Sequence, residues 1–240
     1  FSLVAIDQIV NNAANMRYMS GGQFSVPIVF RGNSGMGTGI GATHSHRLEA
    51  WYAQIPGLTV ILPSTPADAK GLLKSAIRSE DPVVFIEHET LYGMKGEVPD
   101  GDHVVPIGKA DLKRTGDDLT ILTYSNSLNV SLKAAQKLAE EGIESDVVDL
   151  RTIRPLDLET ILNSVVKTHR VVIVEENWPY CGIGAGVADR IYHQVFDELD
   201  APIRRVACLD APIPYAKSME LPMMPSVDRV VQAAHEVLYR

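Results

Sequence analysis

The sequence predicts an α/β protein built as two three-layer α/β/α units with mostly parallel sheets. Three observations carry that prediction. Runs such as VPIVF (26–30), PVVFIEHE (82–89), DLTILTYS (118–125) and RVVIVEE (170–176) are continuously apolar, as strands covered on both faces are. Helix-patterned segments alternate with them, the order of βαβ crossovers. The alternation lapses once, over 91–115, where Gly, Pro and Asp cluster. The chain therefore divides into a first unit at 1–90, a linker at 91–115 and a second unit at 116–240.

The elements follow in order. Val4, Ile6, Ile9, Val10, Ala13, Ala14 and Met16 mark one helix face, with Asn11, Asn12 and Asn15 opposite. VPIVF reads as a buried strand and opens into a glycine-rich loop. HRLEAWYAQ reads as a short helix that ends near Pro56-Gly57, and LTVILP (58–63) as the next strand. Ser64 or Thr65 suits an N-cap, Pro66 suits the first helical turn, and ADAKGLLKSAIRS continues with helical spacing. PVVFIEHE closes the first unit. In the second, NVSLKAAQKLAEEG forms a helix closed by Gly142. The strand IESDVVDL and the helix LDLETILNSVVKTH follow. RVVIVEE precedes the helix IGAGVADRIYHQVFDEL, and the strand PIRRVACL precedes a final helix, SVDRVVQAAHEVLY.

Composition narrows the function. The formal net charge is −8 and the pI about 5.4, which excludes the basic footprint of a nucleic-acid binder and a polybasic membrane tail. Cys181 and Cys208 lie far apart in no metal-binding spacing, and so few thiols fit a reducing compartment. The chain opens on an apolar-periodic segment without Met or the marks of a secretory leader, so an upstream stretch is expected to be missing.

The loop RGNSGMGTGIGATHSHRLEAW (31–51) is the most unusual stretch. It lacks the Gly-Lys-Ser/Thr ending of a phosphate-binding P-loop and the G-x-G-x-x-G offset of a dinucleotide fingerprint. Glycines at alternate positions allow tight turns and close backbone approach to a ligand, and the end of a strand in an open α/β sheet is where ligands bind. The loop delivers His44 and His46. The alternative is a surface loop with two solvated histidines. Cys181-Gly182-Ile183-Gly184-Ala185-Gly186 after RVVIVEE is a second nucleotide-site lookalike, better read as a tight strand-to-helix turn. Glu175-Glu176 reads as a solvated rim. Glu87-His88-Glu89 resembles a metal cluster, but a strand sends His88 to the face opposite the two glutamates. Met219, Met223 and Met224 read as packing, and Trp178-Pro179-Tyr180 as a packing or interface patch.

Five stretches together carry a resemblance: VPIVFRGNSGMGTGIGATHSHRLEAWYAQIPGLTVILPSTPADAKGLLKSAIR, DPVVFIEHETLYG, DLRTIRPLDLETI, KTHRVVIVEENWP and LDAPIPYAK. The sequence resembles the β subunits of the thiamine-diphosphate-dependent 2-oxo acid dehydrogenases along essentially its whole length. ENWP and APIPYAK look more like the pyruvate branch than the branched-chain one, and the acetoin branch is also similar. The resemblance implies a transketolase-type pyrimidine-binding domain, N-terminally incomplete, over 1–90 and a transketolase C-terminal domain over 116–240. It implies decarboxylation of pyruvate with acetyl transfer to lipoamide, in an α2β2 assembly whose α subunit holds the diphosphate and Mg²⁺. Relatives carry the glutamate that activates the cofactor in a stretch ahead of Phe1, so this chain alone is expected to be inactive. The compartment implied is the cytoplasm, or an organellar matrix in a eukaryote.

Several residue roles are implied in the same way. Phe1 matches the aromatic residue that packs on the cofactor's aminopyrimidine. His44 matches the active-site histidine at the subunit interface, suited to binding the substrate carboxylate or relaying a proton. His46 matches no role. Ile28, Ala76, Ile77, Ser79 and Asp81 match a structural K⁺ site made mostly of backbone carbonyls, with Ser79 where relatives often carry an acidic residue. Asp200 matches a position that docks the subunit-binding domain of the dihydrolipoyl acetyltransferase. Two readings of other classes are a nucleotide-binding oxidoreductase using the 182–186 turn and a non-catalytic assembly or docking module.

Overall fold

A computed structural model describes residues 2–240; the expectation for Phe1 lies outside the described residues. A 3₁₀ turn at Ser2–Ala5 and a wide helical turn at Gln8–Ala13 lead into α1 (Ala14–Met19). Ile9, Ala13 and Ala14 face inward and Asn11 and Asn12 outward. Then come β1 (Val29–Ser34), α2 (Glu49–Ala53), β2 (Thr59–Ile61), α3 (Pro66–Ile77) and β3 (Val83–His88). After an irregular stretch the chain forms β4 (Asp111–Arg114), β5 (Leu119–Thr123), α4 (Ser127–Glu140), β6 (Ser145–Asp149) and β7 (Thr152–Arg154). It continues through α5 (Leu158–Thr168), β8 (Val171–Val174), α6 (Ile183–Val195) and β9 (Arg204–Val206). It ends with the short α7 (Lys217–Glu220) and α8 (Val227–Leu238).

Two sheets result, in the strand orders β1-β3-β2-β7 and β4-β6-β5-β8-β9. Within each, the central pairings are parallel; β7 and β4 join at the edges antiparallel. Both edge strands revise the sequence-based division. β4 lies in the segment expected as linker, yet Asp111, Leu112 and Arg114 pair with β6. β7 belongs to the second half of the chain but completes the first sheet, pairing Val60 with Arg154 and Ile61 with Thr152. One apolar cluster crosses the boundary, joining Tyr52, Val60 and Val84 to Leu122, Val148, Ile161 and Val187. The two units therefore share a core, and burying those side chains favours keeping the halves together.

Most local rules are obeyed. Thr65 caps α3 by accepting the Asp68 N–H (3.2 Å), with Pro66 in the first turn. Asp157 and Ser226 cap α5 and α8 in the same way. Gly142, at φ +77°, lets the Gly142 and Ile143 amides turn back onto the last carbonyls of α4. The expected strand at 26–30 is shifted to 29–34. Pro27 has no N–H, and ladder pairing begins only at Val29 opposite Val83. The strand then runs on through polar residues because Arg31 finds Glu87 beside it, at 2.8 Å.

Candidate functional site

The carboxyl ends of the two sheets meet along a buried polar seam. From the first sheet come Ser34, at the end of β1, and His88, at the end of β3; the second contributes Tyr124 after β5 and Glu175-Glu176 after β8. Arg47, two residues before α2, and Glu49, the first residue of α2, lie in the seam with fully buried side chains 3.1 Å apart. Arg47 reaches the Ser34 hydroxyl, and the Tyr124 hydroxyl donates to both Glu49 and Glu175. Burial alone would lower the pKa of Arg47, but the negative charges of Glu49 and Glu176 outweigh it and raise the pKa.

Glu175 and Glu176 are therefore not a solvated rim. Both are buried, and the reason is that each is fully partnered. Glu175 accepts from the Gly184 amide (2.9 Å), Arg205 (3.1 Å) and Tyr124 (3.2 Å). Burial raises its pKa, partly offset by the Gly184 amide and Arg205. Glu176 accepts from the Met36 amide (2.7 Å), His88 Nε2 (2.8 Å) and Asn126 (3.3 Å). Burial pushes its pKa up, but the His88 hydrogen bond, Arg47 and the Met36 amide prevail and hold it low. His88 Nδ1 accepts the Thr90 N–H, which assigns the Nε2–H tautomer facing Glu176.

These partnerships decide two readings left open by the sequence. The 182–186 turn is a packing turn: the Glu175 carboxylate occupies the N-terminus of α6, where a nucleotide phosphate would have to sit. A Cβ on Gly184 would lie 2.5 Å from Glu175 Oε1, and one on Gly182 2.6 Å from the Trp178 carbonyl. The Glu87-His88-Glu89 run divides as strand geometry requires. Glu87 binds Arg31 and Tyr92 beside a cavity of about 300 Å³, while His88 faces Glu176 in the interior. Among the described residues, no group of three or more His, Cys, Asp or Glu side chains could hold a metal ion.

The glycine-rich loop threads between the end of β3 and the 208–224 segment. Gly35, at φ +126°, lies so close to the His88 ring that an added Cβ would be 2.5 Å from Nε2. Met36 is fully buried among Cys208, Ile213 and Met223, partly bearing out the packing role read for the C-terminal methionines; Met219 is exposed. Gly37 and Gly39 donate their amides to the two oxygens of buried Glu220, at 2.8 and 3.0 Å. Beyond the loop, exposure alternates: His44 and His46 face outward, Ser45 and Arg47 inward. The segment is thus not helical, α2 begins only at Glu49, and both histidines share the outer side. His44 sits in a turn, its amide bonded to the Gly41 carbonyl at 3.3 Å. His46 stands over Trp178, ring centroids 6.4 Å apart, at a cavity of about 330 Å³ that Asp210 and Ile213 also line.

The residues matched to a cation site gather at the other end of β3. Ser79 donates its amide to the Ala76 carbonyl and its hydroxyl to the Asp81 carbonyl, and Ile28 accepts the Val83 amide. Ile77 ends α3 with its side chain exposed, and Asp81 pairs with Arg17 at 2.5 Å. Asp200 lies between α6 and β9, exposed and paired with Arg170 at 2.9 Å. Sequence reasoning missed His88, Glu176 and Glu220 as a group. Their partners across the seam lie 50 to 183 residues away, beyond the reach of any local spacing.

Comparison with known proteins agrees with this architecture. The transketolase pyrimidine-binding domain family matches residues 1–95, and the transketolase C-terminal domain family residues 108–230. Pyruvate dehydrogenase E1 component subunit beta of Rhizobium meliloti is 50% identical over 241 residues, covering 100% of this chain and 52% of that protein. The mitochondrial subunit beta-2 of Oryza sativa is also 50% identical, over 100% of this chain and 65% of its own length. That of Drosophila melanogaster is 51% identical, over 99% and 67%. The chain thus spans between about half and two-thirds of the length of these relatives. A solved split-gene transketolase, described as an inactive β4 tetramer, superposes with a TM-score of 0.80 at 23% identity, over 98% of this chain and 72% of that one, and shows the shared fold. Carrying both transketolase-type domains and half-identical along its whole length to those subunits, the chain belongs to the pyruvate dehydrogenase E1 β-subunit family.

Proposed function

We propose that the protein is the β-subunit part of a thiamine-diphosphate-dependent pyruvate dehydrogenase, decarboxylating pyruvate and passing the acetyl group to lipoamide together with an α subunit in an α2β2 assembly. The single observation that carries this reading is the near-50% identity, over the whole chain, to proteins named as that subunit. The glycine loop supports it, because it is ordered by internal contacts and leads to an outward-facing His44. Thiamine diphosphate, when bound, supplies the electron sink for decarboxylation. Its diphosphate does not fit this chain's evident anion sites. The amides of Met36, Gly37, Gly39 and Gly184 already serve Glu176, Glu220 and Glu175. That favours an α subunit as the holder of the diphosphate and Mg²⁺. His44 then presents its imidazole to the substrate, binding the carboxylate when charged or moving a proton.

His44→Ala in the α–β assembly is expected to lower pyruvate-dependent reductive acetylation of lipoamide by about 10²-fold. Turnover within a factor of two of the wild type would remove His44 from the reaction. Turnover of acetoin in place of pyruvate would move the protein to the acetoin branch. The same reading places K⁺ among the carbonyls of Ile28, Ala76, Ile77, Ser79 and Asp81; a thermal midpoint no higher in KCl than in choline chloride would rule it out. It also places the acetyltransferase's subunit-binding domain at Asp200; undiminished binding to Asp200→Ala would rule that out.

A further inference from the structure

The glycine-rich loop has the form of an anion nest. Gly37 and Gly39, at φ +94° and +74°, turn their amides toward one point. What fills the nest is a carboxylate of the protein itself. Glu220 is fully buried, and each of its oxygens accepts one loop amide. Among the described residues those two amides are the only hydrogen-bond donors to its side chain, and no cation pairs with it. A buried carboxylate is costly without hydrogen bonds. Opening the loop would strand Glu220, and removing Glu220 would leave two half-buried loop amides without their acceptor. The dependence is mutual, and it links the C-terminal domain to the loop that ends in His44.

Neighbouring contacts tighten the same clamp. Met36, one residue before Gly37, donates to Glu176. A Cβ on Gly39 would stand 3.2 Å from the Lys217 side chain, and one on Gly41 3.2 Å from the Tyr215 ring. Both oxygens of Glu220 act on amides two residues apart, which fixes the pitch of the loop as well as its position.

We propose that Glu220 is a positioning residue that acts through residues 36–41 to hold the turn carrying His44. The proposal rests on the reading of His44 given above. Its first test is hydrogen exchange, read by mass spectrometry on the 240-residue chain. Glu220→Gln keeps the volume but replaces one acceptor with a donor that faces an amide. Peptides covering 35–46 are expected to exchange about tenfold faster, the effect of losing one charge-assisted hydrogen bond. Peptides of β5, β6 and β8 are expected to stay unchanged and report that the variant is folded; Glu220→Asp, a methylene shorter, serves if they do not.

The second test is a double-mutant cycle in the α–β assembly. Glu220→Gln is expected to lower turnover about tenfold in the wild-type background and to have no further effect on His44→Ala. Unchanged exchange over 35–46, or an equal loss of turnover in both backgrounds, overturns the proposal. If His44→Ala alone leaves turnover normal, the His44 reading falls, and exchange alone then upholds or overturns the clamp.

Discussion

Asp149 offers a test of how far the interdomain seam is shaped by burial. It ends β6 and faces the first unit, where it accepts the Ser64 hydroxyl at 2.9 Å and the Arg151 amide at 3.2 Å. Its second oxygen is buried without a partner. Nearby Asp68 is also buried but is paired with Arg151 at 2.6 Å and Lys113 at 3.4 Å. Burial, reinforced by the charge of Asp68, pushes the Asp149 carboxyl up to about 7 from 3.8. The difference of about 3 units corresponds to roughly 4 kcal/mol. Because the folded-state value is the higher one, the folded protein holds the extra proton. Below about pH 4 both states are protonated and Asp149 adds no pH dependence. Stability falls as pH rises from about 4 to 7, and the full penalty persists above 7.

Asp149→Asn is neutral at every pH, keeps an oxygen for Ser64 and Arg151, and puts a donor where the unpartnered oxygen stands. It is expected to match the wild type near pH 4 and to exceed it by up to roughly 4 kcal/mol at pH 8. Urea unfolding followed by circular dichroism at unit pH steps from 4 to 8 measures this directly, and the difference between the two proteins cancels the titrating groups that do not interact with Asp149. Stability curves that run parallel from pH 4 to 8 would refute the claim that Asp149 folds protonated.

Two further substitutions probe the seam and the loop. Arg47→Met leaves Glu49 buried without its cation and is expected to cost about 3–5 kcal/mol in urea unfolding, most of it recovered by Glu49→Gln in the same chain; a double variant as weak as the single one would contradict the pairing. Gly35→Ala forces a Cβ onto the His88 ring at φ +126° and is expected to cost about 2 kcal/mol or more, whereas Gly32→Ala in β1, with no atom within 4 Å, is expected to be nearly neutral; equal effects at the two positions would refute the clash.

Much of the architecture was legible because it is written in local pattern. Buried parallel strands need continuous apolar runs, and the 118–125 and 170–176 runs place β5 and β8 correctly. Caps such as Thr65 with Pro66, and the Gly142 stop, depend on backbone groups a few residues away, so their signals are local too. The strand at 26–30 was misplaced because pairing with β3, rather than apolarity, determines where β1 begins and ends. The motifs that resemble a family identified the chain's relatives through identity spread along its length, which needs no geometry.

The sequence by itself determined the two α/β units, the glycine-rich loop and the pair of histidines at its exit, since each rests on residue type and short spacing. Only the tertiary structure decided that β7 crosses to the first sheet, that Glu175 and Glu176 are interior, and that Glu220 fills the nest formed by Gly37 and Gly39. Those outcomes depend on the fold bringing together partners from 9 to 183 residues apart, which satisfy one another's charges and amides. A carboxylate reads as solvent-facing in a sequence until the donors that pay for its burial are brought to it by the fold.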